Sequence, residues 1–108
     1  MKNQIENALQ ETGLDFYYLK RVKTVFPCIV YQYNELPNYH GDNLEESTRY
    51  DIFFNLIIKE NLTETVEKVK QILQKHGFMK VVINAPVCFE DLDYYQITMQ
   101  YIKSKSNK

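Results

Sequence analysis

The sequence predicts an α+β fold, one mainly antiparallel sheet with two helices packed on one face, in the order α-β-β-β-α-β-β. Three observations carry this expectation. Residues 48–59 and 94–102 alternate apolar and polar side chains, the period of a strand with one buried face. Residues 2–12 and 61–76 repeat apolar side chains at helical spacing, and Gly13 and Gly77 follow them as stops. A chain of 108 residues with 44% hydrophobic and 25% charged content falls in the globular range and in the length of one domain, residues 1–108.

The elements follow in order. Lys2–Thr12 is a short amphipathic helix, with Ile5, Ala8, Leu9 and Thr12 on one side and Glu6 and Glu11 towards water. Asp15–Leu19 is an aromatic strand with Phe16 and Tyr18 on one face and Tyr17 and Leu19 on the other. Lys20–Thr24 is a basic turn or strand extension. Pro27, which lacks an N–H and holds the residue before it extended, opens the strand Cys28–Tyr33. Thr48–Lys59 carries Tyr50, Ile52, Phe54, Leu56 and Ile58 on a core face, and Arg49, Asp51, Phe53, Asn55, Ile57 and Lys59 on a mixed one. Asn61–His76 is the clearest helix. Asn61 and Glu64 have capping-box spacing, Leu62, Val66, Val69 and Leu73 line one side, and Phe78 docks the exit on the core. Lys80–Ala85 is a strand stopped by Pro86, and residues 87–93 form a connection with an acidic tip. Tyr94–Ile102 is the last strand, with Tyr95, Ile97, Met99 and Tyr101 inward and Gln96, Thr98 and Gln100 outward. Residues 103–108 (KSKSNK) read as a frayed basic tail. Both helices carry one apolar stripe, so both are expected on the face of Tyr50, Ile52, Phe54 and Leu56. The other face is then left for water or a neighbour.

Asn34–Ser47 (NELPNYHGDNLEES) breaks this regular pattern. It has no apolar stripe and reads as a long polar loop, of the kind that is usually functional or disordered. It holds no nucleophile with a base beside it, so it is expected to touch a partner and not to transform a substrate. The candidate interaction residues are Asn38, Tyr39, His40, Asp42, Glu45, Glu46 and Arg49, with Phe53 and Ile57, the two large apolar side chains on the mixed face. That pair is covered either by the loop or by another subunit.

Composition excludes several function classes. A formal net charge of −1 gives no basic excess for neutralising phosphates, which disfavours nucleic-acid binding. Lys20, Arg21 and Lys23 beside Tyr17 and Tyr18 form a small basic-aromatic patch, read as a solvated turn or a surface for an acidic partner. No apolar run is long enough to span a bilayer. The first ten residues lack the apolar core of a secretory signal. Cys28 and Cys88 are then expected to be free, buried thiols in a reducing compartment. Cys28, Cys88, His40 and His76 show no metal-ligand spacing. Glu90, Asp91 and Asp93 read as solvated turn acids, and with three glycines in the chain a phosphate-cradling loop is not expected. We therefore expect no catalytic residue, no metal and no cofactor.

The order of these pieces resembles the tail-terminator (tail-completion) and head–tail joining proteins of long-tailed phages and prophages. The likeness rests on a short helix before the aromatic strand Phe16-Tyr17-Tyr18-Leu19, then the Pro-led strand Phe26 to Tyr33. A polar Asn/Asp/Glu loop follows, then the strand Tyr50-Asp51-Ile52-Phe53-Phe54-Asn55-Leu56, and a charged helix through Leu73 that ends in Gly77-Phe78. The resemblance implies a non-enzymatic structural subunit of a ring, often hexameric, at the head-proximal end of the tail tube. It implies tail-tube and head-connector proteins as partners, with assembly in the bacterial cytoplasm and residence in the virion. The competing expectation is a small cytoplasmic ligand-binding or regulatory α+β domain, with a pocket between sheet and loop lined by Tyr39, Phe53 and Ile57.

Overall fold

The computed structural model describes residues 1–21, 25–39, 45–89 and 93–106. It is an α+β fold in the expected order, with one short strand added. The elements are α1 (Lys2–Thr12), β1 (Asp15–Tyr18), β2 (Cys28–Tyr39), β3 (Glu45–Ile58), α2 (Leu62–Lys75), β4 (Met79–Ile83), β5 (Val87–Phe89) and β6 (Tyr94–Ser106). The six strands form one sheet, ordered β1-β2-β3-β6-β4, with β5 also on β6. Among the described residues only β1 on β2 is a parallel pair; β2–β3, β3–β6, β4–β6 and β5–β6 are antiparallel.

Both helices end as their sequences require. Gly13 takes a left-handed φ of 74° and its N–H donates to the Gln10 carbonyl, a conformation glycine adopts without a Cβ clash. Inside the last turn of α1 the Thr12 hydroxyl donates to the Leu9 carbonyl and accepts from the Leu14 N–H, which lets a polar residue be fully buried. At α2, Gly77 has φ 85° and donates to the Gln74 carbonyl, while the Phe78 N–H reaches back to Leu73. This is a Schellman closure, and it drives Phe78 against Leu73 in the core. The expected capping box at the start of α2 is not formed. Asn61 sits at the N-cap in a left-handed conformation (φ 58°) with no side-chain cap bond. Asn tolerates that region better than most residues, so its role here is the turn between β3 and α2.

The strand register divides the sheet into two faces. Ile29 and Tyr31 of β2, Tyr50, Ile52, Phe54, Leu56 and Ile58 of β3, and Ile97, Met99 and Tyr101 of β6 share one face. They form a single core with Ile5, Ala8 and Leu9 of α1 and Val69 and Leu73 of α2. Phe54 is central: its ring meets Phe78 and Tyr101 edge-on, with centroids 6.4 and 5.8 Å apart. Tyr31 is buried at this interface, and its hydroxyl donates to Glu6 of α1 at 2.6 Å. Burial, then that carboxylate, pushes the Tyr31 phenol far above its ordinary value.

The two helices are tied at their exposed ends by Glu11, which accepts from Lys75 at 3.3 Å and pairs with His76 at 2.9 Å. The His76 bond first, then the Lys75 bond, holds the Glu11 carboxyl below its ordinary range. A carboxylate lowered on folding contributes stability above its unfolded pKa and loses it as pH falls through the folded pKa. Glu11→Gln should therefore lower the melting temperature slightly at neutral pH. The difference from the parent should vanish once acid titrates the carboxylate; a pH-independent difference would show that the pair contributes nothing.

Two sequence expectations are corrected by the strands. The segment Asn34–Ser47 is not a 14-residue loop. Asn34–Tyr39 continue β2 and pair with Glu45–Asp51 of β3, from Asn34 opposite Asp51 to Tyr39 opposite Glu45, with a register shift between Asn38 and Tyr39. Residues 103–106 are not a frayed tail either, since β6 stays paired with β3 as far as Ser106 opposite Ser47. Three strands thus run on together as an arm. β3 alone, at 14 residues and about 3.3 Å per residue, accounts for most of the 52 Å long axis of a molecule 24 Å across in the other directions.

Candidate interaction surface

The helix-free face of the sheet and the arm are the candidate surface. Across β2, β3 and β6 the helix-free face reads in rows: Cys28–Ile57–Gln96, Val30–Asn55–Thr98, Gln32–Phe53–Gln100 and Asn34–Asp51–Ile102. Asn55 organises the second row, its amide oxygen accepting from the Thr98 hydroxyl at 2.8 Å and from Gln96 at 3.5 Å. Phe53 stands half-buried between two glutamines, an aromatic ring presented within a polar ladder.

Phe53 and Ile57 have different fates. Ile57 is 8% exposed, sealed by this chain and unavailable to a partner. Its row lies where Phe26, Lys59 and Tyr94 gather, each two residues along the chain from a member of that row. Phe26 packs on Tyr94 at 5.4 Å, and the Arg21 guanidinium and Lys59 ammonium both lie 4.6 Å from the Phe26 ring centre. Arg21, expected in a basic surface patch, instead belongs to this closure, and Lys23 lies outside the described residues. Neither the loop nor a subunit is needed to bury Ile57. Phe53 keeps its partial exposure because the segment expected to fold over it runs on as the arm.

The other candidate residues are placed as follows. Asn38, Tyr39, Glu45 and Glu46 lie in the paired strands of the arm. His40 and Asp42 are outside the described residues. Arg49, opposite Leu36, makes a fork to Asp51 on its own strand, at 3.1 and 3.3 Å. The structure thus brings Phe53, Asp51 and Arg49 to one face. Sequence reasoning missed the two free edges of the sheet. β1 covers β2 only from Cys28 to Tyr31, so β2 beyond Tyr31 has no strand on its outer side among the described residues. β4 closes the other side of the sheet, and Met79, Val81 and Val82 are 65%, 49% and 41% exposed. The signal available was the sequence MKVVI, apolar on both faces yet flanked by glycine and proline.

Two clefts are found among the described residues. A 440 Å³ cleft between the end of α2 and β4 is lined by Lys70, Gln74, Phe78, Met79, Lys80 and Tyr101. A smaller one of 180 Å³ lies between α2 and the β4–β5 turn. Both lie on the helix side of the sheet, and Phe53 and Ile57 are not among their described lining residues. Cys28 is buried, and burial pushes its thiol up, partly offset by Arg21. Cys88, expected to be buried, is exposed. Among the described residues no three His, Cys, Asp or Glu gather as metal ligands. Among them, too, no helix is long and apolar enough to cross a membrane.

No protein-family model matches the chain, and a search of curated proteins returned no significant match.

Proposed function

We propose that this chain is a structural subunit of a phage or prophage neck, resembling a tail-terminator or head–tail joining protein. In this reading it forms a ring, six-membered by the resemblance, at the head end of the tail tube. Its partners are copies of itself and the tail-tube and connector proteins; it assembles in the bacterial cytoplasm and ends in the virion. The observation that carries the reading is the arm. Three paired strands extend past the helix layer, next to a helix-free face bearing Phe53, and such a surface gains from cover by another chain. A protomer with an arm, an open face and free edges has the distinct surfaces that a head-to-tail assembly needs.

Sedimentation velocity over a concentration series, with negative-stain imaging of the heaviest species, tests this. Rings are the expected result, enhanced by co-expression with a tail-tube protein encoded nearby. A monomer at every concentration, indifferent to tail-tube protein, would overturn it.

A second reading, a small ligand-binding or regulatory domain, draws on the 440 Å³ cleft, which is in the size range of small-molecule sites. Thermal shift against a metabolite panel distinguishes it, because a ligand of the folded state raises the melting temperature with its concentration.

A further inference from the structure

Among the described residues two edges of the sheet carry no further strand, and they are complementary. One is the outer side of β2 from Gln32 to Leu36, beyond the last residue covered by β1. The other is β4. Antiparallel pairing of β2 with β3, β3 with β6 and β6 with β4 makes β2 and β4 run in opposite directions. A second copy placed beside the first with its helices on the same side would therefore set its β2 antiparallel to β4. That is the better-bonded of the two strand arrangements.

The side chains agree with this geometry face by face. Glu35 shares the helix side of the sheet with Tyr50, from whose hydroxyl it accepts at 3.3 Å. Lys80 shares that side with Tyr101 and has no hydrogen-bond or ion-pair partner among the described residues. Leu36, 37% exposed, is on the opposite face, as are Met79 and Val82 at the β4 edge. Charge is segregated in the same sense. The β2 edge from Gln32 to Leu36 carries Glu35 and no Lys or Arg, whereas the cleft beside β4 gathers Lys70 and Lys80, with Lys103 across Phe78. Lys70 is paired with Glu67 at 3.0 Å, and Lys103 donates to the His76 carbonyl at 2.7 Å. Lys80 is therefore the cation left for an incoming carboxylate.

We propose that the acidic free edge of β2 in one copy adds to the β4 edge of a second copy, continuing the sheet across the interface, with Glu35 of one protomer meeting Lys80 of the next. Backbone hydrogen bonds supply the pairing and alternate side chains supply its register, as in other cases of strand addition. Pro37 marks the limit of the paired stretch, since it has no N–H to give. The contact is heterologous, so it repeats without using up either surface and can close a ring. This inference rests on the ring-subunit reading and names the surfaces that reading requires.

The test is a charge swap read by sedimentation, in a Cys88→Ser background that removes the exposed thiol. Lys80→Glu and Glu35→Lys should each weaken self-association about tenfold, because each places like charges across the contact. The double variant carries both exchanges on one chain and should recover most of the loss. Melting temperatures near the parent's are expected throughout, since both side chains are exposed in the protomer. Single variants that associate like the parent, or a double variant no better than the singles, would overturn this interface and leave the ring-subunit reading standing. A parent chain that never associates would overturn both.

Discussion

Phe54→Ala should cost about 4 kcal/mol, enough to leave a domain of this size largely unfolded near its normal melting temperature. Phe53→Ala, one residue away, should cost about 1 kcal/mol. The contrast follows from the pleat. Phe54 is fully buried, its ring held between Phe78 and Tyr101, and it stands on β3, the strand between β2 and β6. Truncating it removes transfer free energy and leaves a cavity walled by side chains of both helix and sheet, which the Schellman closure at Gly77 and Phe78 keeps from collapsing. Phe53 has glutamines on both sides and no helix above it, so water can fill the space it leaves. Denaturant unfolding of the two variants measures the difference. Equal losses would mean that the helix-free side is packed as tightly as the core.

Most of this division was legible in the sequence, for a physical reason. The alternation in Thr48–Lys59 and Tyr94–Ile102 is imposed by one face being dry, and the dry face is the one the two helical stripes need. The arm was not legible because its two flanking strand extensions are mostly polar in sequence. Asn34–Tyr39 and Lys103–Ser106 carry no apolar alternation to report, and their pairing is made by backbone groups, which every residue except Pro37 supplies in full. Pro37 sits on an outer edge, the position where a missing N–H is tolerated. The parallel pairing of β1 with β2 was hidden for a different reason. Phe16 and Tyr17 show that a strand exists, but not which neighbour it joins or in which direction. The short β5 stayed in a connection because three residues are too few to show a period. The free edges of β2 and β4 are likewise properties of strand order, which no local pattern contains.

Ile57→Asp and Phe53→Asp should separate folding from assembly. Both sit on the same face of β3, two rows apart in the alternation, and sequence alone gave them one role. Ile57 is now accounted for by its own chain, between Cys28 and Gln96 and at the end closed by Phe26 and Tyr94. A carboxylate there is cut off from water, and the nearby Arg21 and Lys59 cations are engaged on the Phe26 ring, so the substitution should cost about 3 kcal/mol or more. Its pH dependence has a definite sign. Burial favours the neutral acid, so the folded chain binds that proton more tightly than the unfolded chain, and stability should recover as pH falls. Phe53→Asp places its charge on a face that water reaches, and should cost about 1 kcal/mol with little dependence on pH. In the ring proposal, however, Phe53 is the aromatic anchor of the open face, and its loss should weaken association about tenfold or more. Thermal unfolding across pH and sedimentation at neutral pH, run on both variants, read the two effects apart. A folded Phe53→Asp chain that assembles as the parent does would remove the open face from the interface. The free edges of β2 and β4 would then be left to carry it.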